Sequence, residues 1–157
     1  VMFTGDPSVE GRKADYDEVA RMFAERPFFG RGLGTFEPST YFILDNQYLL
    51  TLVESGLVGM VAMIVLFLVG LFTARSAYRM AHAAGMVELG ELGRALAAAM
   101  LAATVSFATF DAMSFHKVAG LLFVLLGIIG ATWRLALVET SRGGTRSDGR
   151  ARAEAPR

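Results

Sequence analysis

The sequence has no cysteine, two histidines, four prolines and one tryptophan among its 157 residues. Without cysteine there are no disulfide staples, thiolate metal sites or thiol nucleophiles. His82 and His116 lie 34 positions apart, so no histidine pair has a helical metal-ligand spacing, and neither a metal nor a cofactor is expected. Charge is sparse and balanced, with 15 basic and 15 acidic groups and 54% hydrophobic residues. That excludes a disordered chain and a basic nucleic-acid binder. Residues 55–74 carry no charge at all. As a helix, such a stretch spans about 30 Å, the thickness of a bilayer core. The chain opens on Val1 without a basic stretch, short apolar run and cleavage site. It therefore reads as the C-terminal piece of a longer membrane protein.

What is there divides along the chain. Residues 1–46 are polar and interrupted by glycine and proline, which predicts a loop. Inside it Asp15 to Arg26 reads as a short helix: Asp15 and Glu18 fit a capping box, Val19, Met22 and Phe23 form an apolar stripe, and Pro27 ends the pattern. Apolar runs then predict spans over 47–74, 95–115 and 118–138, with a loop over 75–94 and a disordered tail over 139–157. The expected fold class is an all-α integral membrane protein: three transmembrane helices plus an outward-facing loop with a short surface helix, part of a larger helical bundle. Its place is the plasma or inner membrane.

Arginines in the 75–94 loop and in the tail put both on the cytoplasmic side by the positive-inside rule. Residues 1–46 then face outward, and their five basic against eight acidic groups, a net −3, agree with that side.

The polar residues near the first span are the candidate site. Glu54 lies about 13 Å of helix rise beyond Asp45, at a depth where a carboxylate needs a partner or a wet cavity. Asp45 can cap the span or do chemistry, and Asn46 can complete the cap or touch a ligand. Arg31, set among Gly30, Gly32 and Gly34 with no acid within four residues, can approach a phosphate, although a turn explains the glycines equally well. Arg12 and Lys13 are an adjacent cationic pair, a solvated loop pair first of all and otherwise a site contribution near the bilayer surface. Asp111, the one charge of the second span, either faces the same cavity or is capped by its neighbours. Phe107, Phe110, Phe115 and Phe123 pack between spans, meet lipid, or line a groove for a polyprenyl tail.

Two segments carry more than composition. Asp45 and Asn46, nine residues, then Gly56, two residues and Gly59 form D-N-x9-G-x-x-G, and 27–36 reads P-x-x-G-x-G-x-x-x-F. Together they resemble the O-antigen ligases and related polysaccharide polymerases, where a His-Asn pair, nine residues and G-x-x-G stand at the junction of a large external loop and a span. Asp45 takes the place of the histidine. The ligases' loop motif of Arg, three residues and Leu is missing, since Arg12, Arg21, Arg26 and Arg31 are followed at that spacing by Tyr16, Glu25, Gly30 and Thr35. The departure moves the reading from ligase toward polymerase or a broader relative.

The resemblance implies transfer of a glycan from a polyprenyl diphosphate carrier to a hydroxyl on a glycan or lipid acceptor, at the outer face of the membrane. It implies Asp45 as the catalytic base and Arg31, Arg12, Asn46 and Glu54 as substrate-binding residues. Membrane lipids and preceding helices of the same protein are the other expected partners. The alternative is a non-catalytic segment of a transporter or lipid flippase, with Glu54 and Asp111 on its substrate path.

Overall fold

The computed structural model describes the backbone of residues 7–36 and 44–153 and the side chains of residues 16–36 and 44–142. These residues form α1 (Pro7–Glu25), α2 (Gln47–Ala83), α3 (Val87–Ser106), a 3-10 turn (Ala112–Ser114) and α4 (His116–Ala153), with no strand among them. Three helices are long and apolar enough to cross a membrane: α2, α3 and α4 as far as Arg142. Only 22% of the most apolar window of each is buried. A soluble domain would hide such stretches, whereas helices that meet lipid leave their apolar faces outward. Among the described residues the protein is all-helical, with three candidate membrane-spanning helices that suggest a membrane protein.

Element limits differ from the pattern in the sequence. Helix α1 begins at Pro7, whose fixed φ and missing N–H suit a first turn. The backbone of Asp15 is therefore inside the helix instead of at its start, and Glu18 pairs with Arg21 at 2.6 Å. Helix α2 continues beyond 74 to Ala83 and ends in a Schellman motif. There Met86 N–H donates to the Ala81 carbonyl and Gly85 N–H to that of His82, with Gly85 at φ 72°.

Helix α3 starts at Val87, not 95, and stops at Ser106. Asp111 thus lies in the connection after α3 instead of inside a span. The tail expected to be disordered continues α4 as helix to Ala153.

The chain divides into two compact units: Val1–Val65 with Val105–His116, and Leu66–Thr104 with Lys117–Arg157. In the first, Val19 and Met22 of α1 pack with Phe36, Leu44 and α2 residues Leu50 and Val53, and Leu49 lies against the cluster. Spacings of three within α1 and within α2 put each pair on one helical face. Burying such side chains contributes about 1.5–3 kcal/mol apiece relative to exposure.

The second unit is built on small residues. Phe67, Gly70, Ala74, Ala77 and Ala81 recur every three or four positions as the buried stripe of α2, and α3 answers with Gly90, Gly93, Leu96 and Met100. A Cβ at Gly93 would lie 2.8 Å from Tyr78 N, and one at Gly70 would meet Leu126 at 2.8 Å and Met100 at 3.1 Å. Absent side chains let the helices close here, the usual solution where lipid supplies no hydrophobic drive for association.

Candidate active site at a break in α2

Helix α2 is not continuous. At Gly56 the backbone has φ 63° and ψ −159°, a combination open essentially to glycine alone. In an unbroken helix Leu57 N–H would donate to the Val53 carbonyl and Val58 N–H to that of Glu54. The break separates these four groups, and in an apolar setting each would cost several kcal/mol if left unpaired.

The 27–32 loop takes up all four. Arg31 N–H donates to the Val53 carbonyl at 3.0 Å and Gly32 N–H to the Glu54 carbonyl at 2.8 Å. Leu57 N–H donates to the Pro27 carbonyl at 2.8 Å and Val58 N–H to that of Phe28 at 3.1 Å. Two helical bonds have been exchanged for four bonds to the loop.

The glycines of both sequence segments make this possible. Gly30 (φ 65°) faces α2 so closely that a Cβ there would overlap the Glu54 carbonyl and lie 2.6 Å from Ser55 N. From the other side, a Cβ at Gly56 would lie 2.5 Å from the Phe28 carbonyl and 2.7 Å from Gly30 N. Gly30 and Gly56 are thus opposite halves of one backbone crossing. At Gly59, one turn past the break, a Cβ would overlap that of Ser55.

Glu54 contributes its side chain as well. Its half-buried carboxylate accepts from Phe36 N–H at 3.3 Å, so it fastens the far end of the loop to α2. The partner required by its position is therefore loop backbone.

The start of α2 is organised by Asn46. Its Oδ1 accepts from the N–H groups of Tyr48 (3.0 Å) and Leu49 (3.2 Å), which makes Asn46 the N-cap. Asp45 stands one residue outside the helix, exposed and without a hydrogen bond to any described residue. The capping role open to Asp45 belongs to its neighbour.

Gln47, absent from the sequence candidates, is 5% exposed. Its Oε1 accepts from Met113 N–H at 2.7 Å, its Nε2 donates to Thr51 at 3.2 Å, and its own N–H donates to the Phe107 carbonyl at 3.0 Å. It ties the first turn of α2 to the connection that contains Asp111. The available signal was its place beside the cap at the head of an apolar run.

Arg31 is not left unneutralised. Its guanidinium donates to the Glu25 carboxylate at 2.6 Å across the turn at the end of α1. The hydrogen bond and charge of Arg31 hold the Glu25 carboxyl below its ordinary 4.5. About a quarter of the Arg31 side chain stays open, 27% by area, so an anion can reach it by displacing Glu25. Arg12 lies on α1, and its side chain and that of Lys13 fall outside the described residues.

The structure therefore brings the Arg31 and Glu54 segments together through the crossing and places Asp45 and Asn46 at the head of the same helix. Among the described residues no ion pair or hydrogen bond joins Asp45 to Arg31 or to Glu54. Asp111 precedes the 3-10 turn and makes no side-chain cap bond there. No group of three His, Asp or Glu side chains among the described residues is placed to hold a metal ion. No family model, no curated protein and no solved structure matches the chain, and the likeness to the ligases and polymerases is carried by residues 27 to 59 alone.

Proposed function

We propose that the chain is the C-terminal part of a membrane glycan polymerase or ligase that transfers sugars from a polyprenyl diphosphate to an acceptor hydroxyl on the outer face of the plasma or inner membrane. What supports the reading is the crossing of Gly30 and Gly56. Gly30 and Gly56, 26 positions apart, belong to the two segments that resemble the family, and each segment supplies what the other lacks in backbone pairing.

In the reaction the acceptor oxygen bonds to the anomeric carbon as the bond to the diphosphate oxygen breaks, with inversion. The carrier diphosphate leaves with the electron pair, and the acceptor proton passes to Asp45. Asp45 is exposed, so an acceptor hydroxyl can reach its carboxylate, to give up its proton or to be oriented by it, and no described residue competes for the position. Arg31 offers a planar fork to the departing diphosphate in exchange for Glu25. Asn46 and Glu54 hold the scaffold.

Transfer measured at matched membrane levels tests this. Asp45→Asn should lower the rate by about 10²-fold or more while leaving the Asn46 cap intact. Near wild-type transfer would remove Asp45 from the mechanism. The transporter reading draws on the broken helix itself, since discontinuous helices build transporter sites. In this break, however, the freed carbonyls of Val53 and Glu54 already accept from the loop.

A further inference from the structure

We infer that the 27–34 loop is a membrane wedge, its occupied surface being phospholipid, with Phe28, Phe29 and Leu33 inserted among the lipids at the edge of the hydrocarbon core. The inference is independent of the glycan-transfer reading.

Three large apolar side chains within six residues point outward, Phe28 at 64%, Phe29 at 76% and Leu33 at 84% exposure. An aqueous loop with such a tip is an interaction surface. What it meets follows from its level on α2. The bonds from Leu57 N–H to Pro27 and from Val58 N–H to Phe28 fix the aromatic pair beside the first turn after the break. The charge-free run of α2 begins at Ser55, and its 20 residues cover about 30 Å, one hydrocarbon thickness. Leu57 and Val58 therefore stand just inside one boundary of the bilayer.

Their own side chains are 46% and 52% exposed, so helix and loop present one apolar surface at that level. Arg26 and Arg31 bracket the Phe28–Phe29 pair in sequence and match a headgroup layer, as in interfacial aromatic belts flanked by cations. The membrane boundary then falls at Gly56, not at the start of α2, and the nine residues before the break rise about 13 Å above it.

The test uses the full chain in phosphatidylcholine and phosphatidylglycerol vesicles, with every tryptophan other than the probe, Trp133 included, replaced by phenylalanine. Phe29→Trp and Leu33→Trp serve as separate probes, each checked for unchanged helix content by circular dichroism. Lipids brominated near the headgroup end of the acyl chain should quench both probes more strongly than lipids brominated near the chain end, and aqueous iodide should quench little. Strong iodide quenching with none from bromine would place the tip in water. A blue-shifted emission quenched by neither would mean that protein covers it. Either result overturns the wedge.

Discussion

At the residue scale, two adjacent side chains at the head of α2 have separate work, and substitution distinguishes them. Asn46→Ala removes the acceptor for Tyr48 and Leu49 and should cost about 1 kcal/mol, read as a lower Tm in detergent. Asp45→Ala should leave the Tm unchanged, because its carboxylate supports no described hydrogen bond. The order could not be read beforehand, since Asp and Asn are nearly equal as caps.

Gln47→Leu is a larger change of the same kind. It leaves the Met113 N–H without its acceptor, at a cost of about 1–3 kcal/mol.

The Arg31–Glu25 pair was hidden by spacing. Six positions lie outside helical i,i+3 or i,i+4 reach, and only the turn after α1 brings the groups together. Because pairing lowers the Glu25 pKa, its contribution is present above 4.5 and is lost as pH falls through the depressed folded value. A carbon-detected NMR titration of Glu25 should give a midpoint below 4.5, and Arg31→Ala should move it back toward 4.5. An unchanged midpoint in the variant would break the assignment.

At the scale of the element, α2 shows what hydropathy reveals and what it conceals. The charge-free run was enough to identify a span, and Pro27 was enough to end α1 close to its observed limit. The break was not legible. A glycine in an apolar helix usually permits close packing, and its sequence is the same whether φ is negative or positive. Only the 27–32 loop, folded back from more than twenty residues earlier, reveals which applies at Gly56.

Gly56→Ala should therefore be severe. It combines a backbone conformation closed to alanine with overlap against Phe28, and the strain term alone is about 1–3 kcal/mol. Loss of folded protein in a detergent-extraction assay is the expected readout. Gly34→Ala is the control: a Cβ there has open space, although its φ of 70° makes the change mildly unfavourable.

Helix α3 was misplaced in the sequence for a different reason. The apolar run starts only at Ala95, which left Arg94 in a loop, but Glu91 and Arg94 pair at helical spacing in the first turns of α3. The run toward Phe115 looked continuous because hydropathy does not register the turn after Ser106.

At the scale of the whole molecule, α2 and α3 bury small residues where they pack, α4 buries Leu122, Ile129, Thr132 and Ala136, and all three leave large aliphatic side chains exposed. From the arginine placement we propose that the loop before α2 faces outward and the end of α4 faces the cytoplasm. Thr35→Cys should accordingly react with an impermeant thiol reagent in intact cells and Ser141→Cys should not, both positions being exposed. The opposite labelling pattern would invert the orientation.

The four bonds across the α2 break also set an order of assembly. Residues 27–32 leave the ribosome before Gly56 does, so the strand of backbone that covers the break already exists when the gap enters the membrane. The cover for the polar defect therefore comes from earlier chain on the same side of the charge-free run, and closing it waits on no later helix. Synthesised in the reverse order, with the loop attached after α4, the same residues would send an uncovered gap into the bilayer first.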